Sequence, residues 1–325
     1  MKKYWGFAAA TVLSLALAGC GSTEETNKEE KAGVEEQTAS ETEAKNETQT
    51  ISYLGVDYTV PGEVKNIVAA SLESMEDAAM LGIKPVGALE VAGALPTYLA
   101  KDLEGAALIG DKMEPNAEAI LALDPDVILG TSKFSEDKME KLNKIQTTIP
   151  YSHISTNWKE NLLLLGQLSD KEADAEKIIA DYEAKVAESQ VKAAEQLKDK
   201  TILIIRVRAG LMNIYPAGVY LNPVLYEDLG VSVPEIVTKA EAQAELSLEA
   251  LAEVNPDAIF LQFEASENSD APKALDELQN NAIFQSLDAV KNDQLFVNAL
   301  DPLAQGGTAW SKVKFLDVAA EKLLK

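Results

Sequence analysis

The chain carries 27 lysines but two arginines, and both arginines stand in one nine-residue stretch, "ILIIRVRAG" (202–210). Arg206 and Arg208 are two apart, so on a β-strand their side chains leave the same face. A guanidinium presents a rigid fork of donors that grips carboxylate-like oxygens in pairs and stacks on flat π systems, which an ammonium cannot do. Two of them at one strand end make a grip for such oxygens; the rival role is an ion pair with a structural carboxylate, which this acid-rich chain supplies. Lys112, in "GDKMEPN", is a third candidate cation. Trp158 and Trp310 each head a helical run and Tyr215 lies just past the arginine strand; they are candidate ligand-covering aromatics, although an aromatic at a helix start also serves as core. The lone histidine, His153 in "YSHIST", has neither cysteine partners nor HExxH spacing and is not a metal site. No GxSxG, P-loop or GxGxxG occurs, and "QGG" (305–307) reads as a turn. Binding, not catalysis, is the expectation.

These residues need elements to position them. "EAILALDPDVILG" (118–130) aligns with "EALAEVNPDAIFL" (249–261) at a constant offset of 131. In each copy a helical run ends at an Asp-Pro or Asn-Pro break and passes into a short apolar strand. Repetition of a βα unit predicts parallel sheets in two α/β lobes. In the first lobe, strands are expected at "KNIVAA" (65–70), "PVGAL" (85–89), "AALIG" (106–110) and "DVILG" (126–130), with helices between them such as "SMEDAAMLGI" behind a Ser N-cap. The second lobe starts at "TILIIRVR" (201–208), continues through "VLYEDLG", "AIFLQF" (258–263) and "QLFVNA" (294–299), and closes with the helix "AWSKVKFLDVAAEKLLK". Residues 157–200 lack proline and are rich in Ala, Glu, Lys and Leu, so they read as a long helix broken near "GQLSDKEAD". Ligands of open parallel sheets lie off the carboxyl ends of the strands, so Arg206 and Arg208 are expected to face a cleft between the lobes. Lys112 would reach it from the first lobe, where Leu89, Glu90, Thr131 and Ser132 are further strand-end candidates.

The N-terminus, "MKKYWGFAAATVLSLALAGC", has a basic start, an apolar run and small residues before a cysteine, the pattern of a secretory signal rather than a spanning helix. "LAGC" resembles the lipobox of bacterial lipoproteins, and Cys20 is the only cysteine. Residues 1–19 are thus expected to be removed and Cys20 to be acylated, which anchors the chain to a membrane without spanning it. Residues 20–50 hold nine Glu and no aromatic residue and read as a disordered acidic tether. Loss of Lys2 and Lys3 with the signal lowers the net charge by two, from −24 to −26, a balance that argues against nucleic acid.

The lipobox, the tether, the repeat and the phrases "EPNAEAILALDPDVIL", "LYEDLGV", "LEALAEVNPDAIFL" and "PLAQGGTAWSKVKFLD" together resemble the substrate-binding lipoproteins of bacterial ABC importers, in the subgroup for iron-siderophores, haem and cobalamin. The resemblance implies an N-terminal α/β lobe (51–156), a connecting helix (157–200), a C-terminal α/β lobe (201–325) and a cleft with small closing motions. It implies a monomer on the extracytoplasmic face of a cell membrane, of Gram-positive surface type, with no catalysis and no cofactor. The ligand would be a ferric siderophore whose iron is held by the siderophore itself, and the arginine pair points to an anionic one of citrate-hydroxamate type. In the family, glutamates at the positions of Glu118 and Glu249 dock on arginines of the permease, one per lobe. Haem or cobalamin on the same scaffold is the alternative, with axial haem ligation disfavoured by the single histidine. From other classes, an adhesion or structural lipoprotein would show β repeats or exposed aromatic strips, and an anchored hydrolase lacks a nucleophile motif.

Overall fold

A computed structural model describes residues 47–324, so Cys20 and nearly all of the expected tether lie outside the described residues. Alternation of inward and outward residues begins at Thr48. Strands β1 (Thr48–Tyr53) and β2 (Val56–Pro61) form an antiparallel hairpin that turns Ile51, Tyr53 and Val60 inward. The expected boundary at residue 50 therefore falls inside a strand. The tether's polar composition continues through "NETQT", and the pairing with β2, not local propensity, extends this segment.

The first lobe is built on β3 (Ile67–Ala70), α1 (Leu72–Leu81), β4 (Gly87–Glu90), β5 (Ala107–Asp111), β6 (Glu114–Pro115), α2 (Ala117–Leu121), β7 (Val127–Thr131), α3 (Glu136–Asn143) and β8 (Thr148–Tyr151). Its six strands run in the order β6-β5-β4-β3-β7-β8, parallel except for β5 with β6. All four residues of β3 are buried, as expected of a central strand covered on both faces. Ser71 caps α1, its side chain accepting from Ser74 N.

The connector is α4 (Trp158–Leu168) followed by α5 (Glu172–Gln196), with the break where "GQLSDKEAD" marked it. Asp170 takes a left-handed conformation, φ 54°, at the break, and Lys171 N bonds back to Gly166 O at 2.8 Å. At 1.5 Å per residue, the 25 residues of α5 make a rod about 37 Å long.

The second lobe contains β9 (Ile202–Arg208), β10 (Leu211–Ile214), β11 (Ala244–Glu245), α6 (Leu248–Val254), β12 (Ala258–Phe263), β13 (Leu295–Val297) and the closing helix α7 (Ala309–Leu323). "VLYED" (224–228) is a single π-helical turn. Strand order is β11-β10-β9-β12-β13. β9, β12 and β13 are parallel, but β10 and β11 are antiparallel additions. The reason is the two-residue turn Ala209–Gly210, both at positive φ, which returns the chain at once and leaves no room for a crossover helix.

The repeat is structural down to single hydrogen bonds. Asn116 and Ser247, 131 apart, cap α2 and α6 by accepting from backbone N–H groups of the first turn. Asp126 and Asp257, also 131 apart, accept from the backbone just before the central strands: Asp126 Oδ2 from Lys65 N and Asn66 N, and Asp257 Oδ2 from Thr201 N, each at 2.8 Å. The aspartate of each "PD" thus ties β7 to β3 and β12 to β9.

The lobes are clamped by two buried carboxylates of α1. Glu76 accepts from Tyr98 Oη (2.6 Å), Gln305 N (3.0 Å), Thr308 Oγ1 (2.5 Å) and Ser311 Oγ (2.6 Å), and Asp77 accepts from Tyr151 Oη and from Ala309 N, both at 2.8 Å. The first turn of α7 therefore rests on α1. Gly306 lets the loop before α7 pass close over Tyr220: at φ 78° a Cβ there would lie 2.3 Å from the Tyr220 carbonyl carbon. The "QGG" turn is a close contact between segments distant in sequence.

Candidate functional site: the interlobe cleft

Arg206 and Arg208 close β9, and Arg206 sits beside Gln262 of β12 in parallel register. The turn that follows them is fixed from outside. Ala209 N donates to Glu267 O and Gly210 N to Asn268 Oδ1, both at 3.0 Å, while Asn268 Nδ2 donates to Val207 O at 2.9 Å. A side chain at Gly210 would meet Ala271 Cβ at 2.8 Å, so glycine is required where the loop after β12 docks. That docking brings the Glu267 carboxylate onto the arginines.

Glu267 Oε2 accepts from Arg206 Nε (3.1 Å) and Nη2 (2.8 Å), and Oε1 from Arg208 Nη2 (3.3 Å) and, across the cleft from the first lobe, Lys112 Nζ (3.2 Å). Burial pushes the Glu267 pKa up, but the Arg206, Arg208 and Lys112 charges together outweigh it and hold the carboxyl below its ordinary value. The Arg206 guanidinium also lies 5.2 Å from the ring centroid of Tyr220, a cation–π contact. The Tyr220 ring packs at a tilt of 46°, centroid to centroid 5.4 Å, against Tyr215, whose hydroxyl donates to Gln243 Oε1 at 3.0 Å. The Tyr220 hydroxyl is buried with no hydrogen-bond partner among the described residues.

These groups line a cavity of about 350 Å³ shared by both lobes, with Glu73, Thr131, Lys133, His153 and Gln305 on its other walls. Lys133 Nζ lies 2.8 Å from Glu73 Oε1, an ion pair outside hydrogen-bond geometry, and 3.4 Å from Gln305 Oε1 across the cleft. Ser132 Oγ meets His153 Nδ1 at 2.7 Å and accepts from His153 N at 3.1 Å, so it fixes the ring in place. Burial, and then the Lys133 charge, lower the His153 pKa against the opposing pull of Glu73. The lining carries four cations, Lys112, Lys133, Arg206 and Arg208, against two carboxylates, an excess of two positive charges in a chain of net charge −24. Such a cavity attracts an anion with several oxygens. Among the described residues no group of three His, Cys, Asp or Glu is arranged to hold a metal ion, and no helix is long and apolar enough to cross a membrane.

The profile of the periplasmic binding protein family matches residues 67–299. The chain belongs to this family. Among curated relatives, this periplasmic binding protein is 49% identical over 314 residues, 96% of either chain, to the iron-uptake system-binding protein of Bacillus subtilis. The crystal structure of the triscatecholate siderophore binding protein FeuA from B. subtilis, complexed with ferri-bacillibactin, superposes with a TM-score of 0.81 at 50% identity, covering 85% of this chain and 98% of that one. Staphylococcus aureus SirA complexed with staphyloferrin B gives a TM-score of 0.73 at 29% identity, covering 85% and 98%. These neighbours are two-lobed, as the repeat predicts for this periplasmic binding protein.

Of the candidates read from sequence, Lys112, Arg206, Arg208 and Tyr215 line the cleft together, with Thr131 and His153. Trp158 and Trp310 do not. Trp158 is buried edge-on against Tyr182 at 5.0 Å and lines a different cavity of about 500 Å³, whose buried cation, Lys312, is already paired with Asp228 at 2.7 Å. Trp310 packs on Tyr98 at 4.9 Å beside the α1–α7 clamp. Leu89 is fully buried, and Glu90 offers its carbonyl to Lys112 N at 3.1 Å. Both tryptophans follow the core role that helix-start aromatics commonly take. Sequence reading missed Glu267, Tyr220, and the Glu73–Lys133 pair. Glu267 was within reach of the strand-end rule, since "EASEN" directly follows "AIFLQF"; Tyr220, at φ 61° in a loop, gave no signal.

Proposed function

We propose that this chain captures an anionic ferric siderophore in the interlobe cleft and delivers it to the permease of an ABC importer. The observation that carries the reading is the convergence of Lys112, Lys133, Arg206 and Arg208, drawn from both lobes, on one cavity. The half-identical relative solved with ferri-bacillibactin favours a triscatecholate ligand over the citrate-hydroxamate type expected from the arginines alone. Iron bound by three catecholates carries three negative charges, which suits a cleft with an excess of two positive ones, and flat catecholate rings suit stacking on guanidinium and Tyr215.

Titration of the purified protein by tryptophan fluorescence quenching, against a ferric triscatecholate, a ferric citrate-hydroxamate, haem and cobalamin, tests this reading. The triscatecholate is expected to bind most tightly. Preference for haem or cobalamin, or binding of none, overturns it. Acylation of Cys20 and docking of the permease on Glu118 and Glu249 complete the proposal; both glutamates are exposed on the first turns of α2 and α6.

A further inference from the structure

Glu267 holds the same three cations that the ligand needs. Its backbone is fastened, since its carbonyl accepts from Ala209 N and the next residue, Asn268, ties the loop to β9 and to Gly210. Only the side chain is left to swing. Its Oε2 takes two N–H groups of Arg206 and its Oε1 takes Arg208 and Lys112, the set of contacts that one chelating pair of ligand oxygens would take. One contact, Lys112 to Glu267, joins the first lobe to the second. Close by, the buried Tyr220 hydroxyl, a donor that lines the same cavity, has no acceptor among the described residues. A permanent structural counterion would leave the ligand no free cation on this wall.

Building on the siderophore reading, we infer that Glu267 is an internal competitor: its carboxylate occupies the ligand's oxygen subsite in the empty cleft, latches the two lobes through Lys112, and is displaced when the chelate binds. The thermodynamic signature of such a device is specific. A closed latch reduces the fraction of binding-competent protein, so it weakens every ligand that uses these cations by one common factor, whatever the ligand's charge. A carboxylate that stayed in place would instead repel ligands in proportion to their charge. A carboxylate that served only to aim the arginines would strengthen binding.

The experiment compares parent, Glu267→Gln and Glu267→Asp proteins. Each is titrated with a ferric triscatecholate and with a ferric hydroxamate siderophore of lower charge, and each is measured without ligand by small-angle scattering. Glu267→Gln is expected to bind both chelates more tightly by the same factor, about tenfold or more, and to be more open than the parent when empty. Glu267→Asp keeps the charge with a shorter reach and should fall between them. A gain that grows with chelate charge, no gain, or a loss overturns the inference. If the parent binds neither chelate, the siderophore reading fails instead, and the latch is still judged by the scattering: equal compactness of empty parent and Glu267→Gln sinks it.

Discussion

Arg206 and Arg208 differ in what holds them, and the difference sets what each contributes to binding. Arg206 is nearly buried, with its fork on Glu267 Oε2 and its plane near Tyr220, whereas the Arg208 side chain is 41% exposed and divides its donors between Gln243 and Glu267. Charge-assisted hydrogen bonds are worth roughly 1.5 to 3 kcal/mol each. Arg206→Ala is therefore expected to weaken chelate binding about tenfold to a hundredfold, and Arg206→Lys to recover only part, because a lysine is a point charge on a flexible stem. Arg208→Ala should cost less than Arg206→Ala. Fluorescence titration of the three variants checks the order; parent-like binding by both alanine proteins would remove the arginines from the site. The pair was legible because arginine is rare in this chain and two positions on a strand share a face. The partner that claims them was marked only by its place just after a strand, where "EASEN" offers two glutamates, and nothing in their type shows that Glu267 is the one that turns onto the arginines.

At the scale of elements, the helix-turn-strand repeat was readable because Pro-Asp breaks, caps and apolar strands recur at one offset. What one turn of α1 does was not readable. Glu73, Glu76 and Asp77 lie at i, i+3 and i+4, a spacing that suggests a solvated acidic face, yet all three are buried against the second lobe or the cleft. Their burial depends on α7, more than 200 residues away. Burial raises the Glu76 pKa from 4.5 to about 7, against the opposing hydrogen bonds from Ser311, Thr308, Tyr98 and Gln305. The folded state then holds this proton more tightly than the unfolded chain. Stability from this group is full below pH 4.5, is lost as pH rises towards 7, and levels off above, a span worth on the order of 3 kcal/mol. Glu76→Gln should flatten the fall of stability between those pH values, leaving the part due to Asp77, whose pKa burial raises in the same direction. Urea unfolding of parent and variant at pH 5 and pH 7.5 measures it; an unchanged slope would show that Glu76 does not titrate there.

For the whole molecule, the two-lobed plan places Glu118 and Glu249 at matching points, each on the first turn of a short helix capped by Asn116 or Ser247. Both are exposed, and neither forms an ion pair with another described residue, so a helix-start role alone leaves their carboxylates free for a partner. Under the proposed docking, a permease reading one such charge on each lobe would sense the spacing between them. The Glu76–Asp77 hydrogen bonds join the lobes at α1 and α7, apart from the cation-lined cavity. The double variant Glu118→Ala with Glu249→Ala is therefore expected to bind the ferric chelate like the parent while iron uptake by cells falls on the order of tenfold or more. Each single variant should fall less, because one lobe still engages. Uptake assays with radioactive iron, run beside binding titrations of the same proteins, separate the two effects. Normal uptake by the double variant would take these glutamates out of the docking role, and a loss of chelate affinity would mean that they act through the cleft instead.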